Sequence, residues 1–193
     1  MYQNELMDIF EKTGAIMRGH FKFTSGLHSD IYIQCAKVLQ HPKPTEKLVE
    51  DIVSAFKDDE IDLVIGPAIG GIIVAYETGR QLGIPALFTE REENRMMPRR
   101  GFRIPEGARL LVVEDVVTTG GSVREVIDVV VNNGGIVAGV GTLVDRSGGK
   151  VDFGVKQKAV ITLDSLKTFD PKDCPLCKEG IPLVKPGSRG LQV

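Results

Sequence analysis

Apolar positions recur with different periods along the 193-residue chain, and the changes of period outline its elements. Leu6, Ile9 and Phe10 fall at helical spacing within the first twelve residues. Segment 21–39 carries a turn at Thr24–Ser25–Gly26 and then alternation at Ile31 and Ile33, which predicts a strand pair or hood. Residues 44–57 set Leu48, Ile52, Val53 and Phe56 on one helical face, and Pro44–Thr45 fits the helix start. From residue 61 the pattern becomes short apolar runs separated by helices. Strands are predicted at 61–66, 84–88, 108–115, 136–145 and 158–164, and helices at 71–82 and about 121–133. Gly134–Gly135 closes the second of these helices. Charged residues 89–107 read as a long loop. Fully apolar strands alternating with helices predict an α/β fold whose central, mostly parallel sheet is flanked by helices on both faces. One domain is expected: a hood with the N-terminal helix over 1–42, a core over 43–165 and a surface tail over 166–193.

Composition narrows the function classes. Hydrophobic residues at 42% and charged residues at 26% are ordinary globular values, so disorder is not expected. A net charge of −2 argues against a dedicated nucleic-acid binder, which would carry a basic face. The uncharged run from Leu63 to Tyr76 is too short to span a bilayer, and the N-terminus lacks the basic start of a signal peptide. Three cysteines are too few for a disulfide scaffold, so a reducing cytoplasm is the expected compartment. Glycine is the excess, at 22 residues. Four Gly-Gly pairs occur, at 70–71, 120–121, 134–135 and 148–149, and all but 134–135 follow predicted core strands.

Ligands of open α/β sheets bind beyond the carboxyl ends of the strands. The strand at 108–115 ends in Glu114–Asp115 and leads through Val116, Val117, Thr118, Thr119, Gly120, Gly121 and Ser122 into a helix. Glycines let backbone close on a phosphate, the helix N-terminus offers N–H groups, and the hydroxyls add donors. The acid pair suits a ribose diol or Mg²⁺ held through water. Neither a Walker A lysine nor a GxGxxG loop is present. The plainer alternative is a helix capped by Thr and Ser, which leaves two adjacent carboxylates on a core strand unexplained. The turn Gly66-Pro-Ala-Ile69-Gly70-Gly71 is a second anion-ready loop, or else a tight strand-to-helix turn. After the strand at 136–145 comes Arg146, able to fork onto a carboxylate or, as a plainer role, to pair with Asp145 or Asp152.

The run VVEDVVTTGGS resembles the PRPP-binding signature of type I phosphoribosyltransferases. From FKFTSGLHSDIYI to PLVKPGSRG, the chain resembles their bacterial orotate-using members. The resemblance implies the type I phosphoribosyltransferase fold and transfer of the phosphoribosyl group of PRPP to orotate, with Mg²⁺, in pyrimidine (UMP) synthesis. By the same resemblance, 114–122 bind the ribose 5-phosphate, with Glu114 and Asp115 facing the ribose, and Ile69, Gly70 and Gly71 meet the pyrophosphate. Arg146 binds the orotate carboxylate and Thr118 the pyrimidine ring. Members of the family dimerise and reach a lid into the neighbouring site, which here is 89–103. Their lid lysine and histidine are missing from this one, so Arg99 and Arg100, then Arg91, are the candidates at the leaving group. Other family positions often held by lysine are Gly70 and Thr24 here. A purine phosphoribosyltransferase and a non-catalytic PRPP-sensing regulator are the alternatives.

Cys174-Pro-Leu-Cys177 offers two of the four ligands that zinc wants, and His20, His28 and His41 lie far off in sequence. The pair therefore reads as a tail turn with buried thiols, zinc shared across a dimer being the alternative, and the histidines as packing or surface residues. No metal held directly by protein side chains is expected, Mg²⁺ arriving with PRPP.

Overall fold

The computed structural model describes residues 2–23, 25–163 and 168–186. Thr24, the end of the last predicted strand and the tail from 187 onward lie outside the described residues. The chain opens with helix α1 (Tyr2–Lys12), strands β1 (Ile16–Lys22) and β2 (His28–Ile33), the single turn α2 (Ala36–Leu39) and helix α3 (Pro42–Phe56). Then follow β3 (Leu63–Pro67), α4 (Gly70–Leu82), β4 (Ala86–Glu92), β5 (Arg95–Pro98), β6 (Arg109–Val117), α5 (Gly121–Asn132), β7 (Ile136–Asp145), β8 (Gln157–Thr162), β9 (Thr168–Phe169) and α6 (Pro175–Lys178). None of these helices is long and apolar enough to cross a membrane.

The main sheet has the order β5-β4-β3-β6-β7-β8, parallel throughout except for the edge strand β5. Alternation on β6 divides the core. Leu111 and Val113 pack with Val64 and Leu143 against α1, α3 and α4. Leu110 and Val112 pack with Ile65 and Val140 against Val123, Val126 and Val130 of α5. Both faces are thus covered, as a parallel sheet requires. The chain leaves β3 through α4 to β4 on one side, then returns to β6 on the other side of β3. That reversal opens a crevice at the carboxyl ends of β3 and β6, the place where open α/β sheets bind ligands.

A second sheet, β1-β2-β9, forms the hood. Two of its strands were expected, and the third comes from the tail, which returns to pair Phe169 with His28. Helix α3 starts at Pro42, two residues before the predicted start, with proline in its first turn.

Residues 89–107 are not wholly a loop. Strand β4 runs on to Glu92 and turns back through β5, with Glu92 opposite Arg95. Glu93 and Asn94 both take positive φ, 48° and 65°, which makes the two-residue turn whose twist suits a hairpin. The charges that suggest solvated loop pair within the hairpin: Arg100 forks onto Glu90 at 2.9 and 3.0 Å, and Arg99 meets Glu92 at 3.1 Å. Strand β6 likewise runs two residues past its expected end, since Val116 and Val117 pair with Val144 and Asp145 of β7.

Candidate active site

Three connections leave the carboxyl edge of the sheet around the crevice: 68–69 after β3, 118–120 after β6 and 146–156 after β7. The acid pair of β6 sits between the first two. Glu114 is buried, and its Oε1 accepts the Asp115 N–H at 3.1 Å. Burial, then the neighbouring Asp115 charge, holds its carboxyl well above the usual carboxylate range. Asp115 is half-buried, and its Oδ1 accepts the Val116 N–H at 2.9 Å. Its carbonyl lies 3.7 Å from the Cys35 thiol, whose pKa is raised by burial first and by both acids next.

The β3 loop packs directly onto this pair. A Cβ added at Gly70 would collide with the Asp115 carboxylate, and one at Gly71 would lie 3.3 Å from Glu114 Oε1. Glycine at 70 thus lets the Asp115 carboxylate lie directly against the loop; any side chain there would need that carboxylate or the loop to shift. The Ala68–Ile69 peptide is cis, and the Ile69 side chain is 83% exposed at the crevice.

Helix α5 begins without a side-chain cap. Its N-cap is Gly120, at φ 77°, and no hydroxyl bonds the first turn. Thr118, Thr119 and Ser122 are thus not spent on capping, as the plainer reading would have them. The first N–H groups of any helix lack partners within it, so this end presents donors and a positive dipole. Any side chain at Gly120 would also collide with Val151 and Phe153, at 2.7 and 2.9 Å.

Arg146 follows β7, and its backbone N–H bonds the Val117 carbonyl at 2.8 Å. It pairs with neither Asp145 nor Asp152 among the described contacts. The Asp145 carboxylate instead accepts the N–H groups of Ser147 and Gly149, at 2.7 and 2.9 Å. The turn through Gly148 and Gly149 thus wraps the Asp145 carboxylate. The Arg146 guanidinium lies over the Phe23 ring at 4.5 Å, and its Nε is buried with no hydrogen-bond partner. Burial lowers its pKa. A buried, unpartnered guanidine nitrogen is costly unless a ligand meets it.

The predicted site residues thus divide. Residues 69–71 and 114–122 and Arg146 gather around the crevice. Arg99 and Arg100 are tied to hairpin glutamates, and Arg91 pairs with Glu125 of α5 at 2.8 Å. Phe23 and Cys35 escaped the sequence reading, because an aromatic in the hood and a lone thiol give no signal until the hood is folded over the sheet. The tail pair is not two buried thiols, since Cys177 is exposed, and His20 and His28, far from it in sequence, meet Cys174 and Cys177 in the fold, with all four ligand atoms within 4.8 Å of one another. The reason is the return of the tail to the hood sheet.

The phosphoribosyl transferase domain profile matches residues 36–171. An orotate phosphoribosyltransferase of Caldanaerobacter subterraneus subsp. tengcongensis is 58% identical over 191 residues, 99% of this chain and 100% of the relative. Another, from Thermoanaerobacter sp. (strain X514), is 59% identical over 98% of this chain and 99% of its own. Among solved structures, the orotate phosphoribosyltransferase of Aeropyrum pernix aligns with a TM-score of 0.70 at 28% identity, over 91% of this chain and 98% of that one. With the expected fold in place, the chain belongs to the phosphoribosyltransferases, within their orotate phosphoribosyltransferase branch.

Proposed function

We propose that this protein transfers the phosphoribosyl group of PRPP to orotate, yielding orotidine 5′-monophosphate and pyrophosphate for pyrimidine synthesis. The observation that carries the reading is the pairing, in one crevice, of a buried acid pair with a guanidinium whose Nε has no partner. The uncapped start of α5 suits the 5-phosphate, with Thr118, Thr119 and Ser122 adding hydroxyl donors. The glycine loop at 69–71 suits the pyrophosphate. Glu114 and Asp115 face the ribose, where the raised pKa equips Glu114 to donate as well as accept.

Substitution at the anomeric carbon builds positive charge on the ribose as pyrophosphate leaves. The Asp115 carboxylate, facing the ribose, favours the cationic transition state. Arg146 presents a planar fork to the orotate carboxylate, and Phe23 holds that fork from the opposite face. A purine base has no carboxylate, so Arg146 is the feature that selects orotate. The ring nitrogen of orotate loses its proton as it bonds to the anomeric carbon, and the departing pyrophosphate or water can take that proton up, so the absence of lysine and histidine from 89–103 removes no required proton donor.

Mg²⁺ belongs to the reading as a hard cation with oxygen ligands. Asp115, the accessible carboxylate of the pair, fits it through water, and the ion, arriving with PRPP, would neutralise charge on the pyrophosphate. Two copies associate, and the β4–β5 hairpin of one delivers Arg99, Arg100 and Arg91 to the leaving group in the other, with the cytoplasm as the compartment. Mixing an Arg99→Ala/Arg100→Ala variant with an Asp115→Asn variant tests this. Activity recovered in the mixture supports delivery between copies, and none recovered contradicts it. The reaction itself is tested by incubating purified protein with PRPP, Mg²⁺ and orotate and following orotate consumption. Binding of PRPP without consumption would favour a regulator instead.

A further inference from the structure

The hood and the tail carry a cluster that the transferase reaction does not use. His20 on β1, His28 on β2, Cys174 at the start of α6 and Cys177 within it converge although up to 157 residues separate them. His20, His28 and Cys174 are 2%, 3% and 1% exposed, so three of the four side chains are withdrawn from water. The cysteines are free thiols. Burying two imidazoles and a thiol with so few partners is unfavourable unless something binds them together.

The distances say what would. His20 Nε2 lies 3.5 Å from Cys174 Sγ and 3.7 Å from Cys177 Sγ, and Cys177 Sγ lies 3.4 Å from His28 Nδ1. With metal–nitrogen bonds of about 2.0 Å and metal–sulfur bonds of about 2.3 Å, a tetrahedron has N···S edges of about 3.5 Å. The two ring nitrogens are 2.9 Å apart, slightly inside the corresponding N···N edge of about 3.3 Å. No pair of ligand atoms exceeds 4.8 Å, so small side-chain rotations complete the geometry.

The outer shell is also in place. His20 Nδ1 donates to the Ile181 carbonyl at 2.8 Å, which leaves Nε2 as the nitrogen with a lone pair. The tail is also anchored along one edge of β1 at Val184, with the Lys22 N–H on the Val184 carbonyl and the Val184 N–H on the His20 carbonyl, each at 2.8 Å. Pro175 opens the one-turn helix that sets the two sulfurs on a common side. Two thiolates neutralise a divalent ion, so the filled site buries no net charge. Mixed sulfur and imidazole ligands in a tetrahedron select zinc over magnesium or calcium.

We propose that His20, His28, Cys174 and Cys177 of a single chain bind a structural zinc ion that fastens the C-terminal tail to the hood. All four positions are filled by protein, which closes the site to substrate and gives the ion no catalytic role. Because residues so distant in sequence meet only in the folded chain, the free energy of binding the ion adds to that of folding. It sits at the base of the β1–β2 connection that carries Phe23 to Arg146, and so steadies that contact.

The test uses untagged full-length protein, expressed with zinc in the medium and analysed for metal by mass spectrometry. One zinc per chain is expected. Cys177→Ser, at an exposed position, should weaken zinc binding by roughly 100-fold or more, whereas His41→Ala, outside the cluster, should keep one zinc. Cobalt(II) added to the zinc-free protein should give thiolate charge-transfer and tetrahedral ligand-field absorption, both absent in Cys177→Ser. A chelator should lower the unfolding midpoint of the unaltered protein by several degrees and zinc should restore it. Reduced, unaltered protein that takes up neither zinc nor cobalt overturns the proposal. So does full zinc retention in the Cys177→Ser variant, or a Cys174–Cys177 disulfide in protein isolated without metal.

Discussion

Replacing Arg146 by Met separates recognition from structure, because the two roles predict opposite effects on stability. Met keeps an unbranched apolar stem against the Phe23 ring and removes the charge and all five donors. The guanidinium forms no ion pair among the described contacts, its Nε is buried without a partner, and burial lowers its pKa. Among these contacts its desolvation is offset only by the Phe23 ring, and Met keeps contact with that ring, so Arg146→Met should leave the unfolding midpoint unchanged or raise it. Catalysis should move the other way. Truncating one partner of a desolvated, hydrogen-bonded charge pair costs about 2–5 kcal/mol. If that loss appears in full in the transition state, kcat/KM for orotate falls by roughly 30- to 5,000-fold. Steady-state kinetics with varied orotate at saturating PRPP reads this, calorimetry reads PRPP affinity, and thermal denaturation reads stability. PRPP affinity should stay within about threefold, since Arg146 is assigned to the base and not to the phosphates. Activity within threefold of the unaltered protein, or a large fall in the unfolding midpoint with proportionate loss of PRPP binding, would show Arg146 to be a structural residue.

Three further substitutions probe the crevice. Asp115→Asn should lower kcat by 100-fold or more with unchanged circular dichroism; unchanged turnover would remove the acid pair from the mechanism. Glu114→Gln should cost activity yet stabilise the protein at neutral pH. Because the folded pKa of Glu114 is raised, the native state holds its proton more tightly, and stability falls as pH rises from the ordinary carboxylate range through the raised pKa. The stability gap between Glu114→Gln and the unaltered protein should accordingly widen with pH across that window, and a gap independent of pH would refute the assignment. Gly70→Ala places a methyl against the Asp115 carboxylate and should cost about 1–3 kcal/mol of stability together with PRPP affinity; calorimetric binding and denaturation midpoints equal to those of the parent would refute the close packing of loop on acid.

Sequence reasoning was strongest where one period dominated. The apolar run at 108–113 and the amphipathic faces at 44–57 and 121–133 placed the core sheet and its helices, and the acid pair with the glycine-rich turn placed the crevice. It failed where partners are distant in the chain. The charges of 89–103 are solvated as they look, but their pairing, Glu90 with Arg100 and Glu92 with Arg99, exists only once the hairpin folds. Cys174 and Cys177 lack visible partners until β9 returns the tail to β2. The Arg146–Phe23 contact likewise depends on a hood whose position over the sheet no local pattern encodes.

The central claim is that the crevice transfers phosphoribose to a base bearing a carboxylate. Its most direct measurement is product formation by purified protein supplied with PRPP and Mg²⁺ and, in parallel, orotate, hypoxanthine or adenine. Orotidine 5′-monophosphate and pyrophosphate in equal amounts from orotate, with no nucleotide from either purine, is the predicted result. Nucleotide from a purine and none from orotate, or no product from any base despite PRPP binding, would contradict the account.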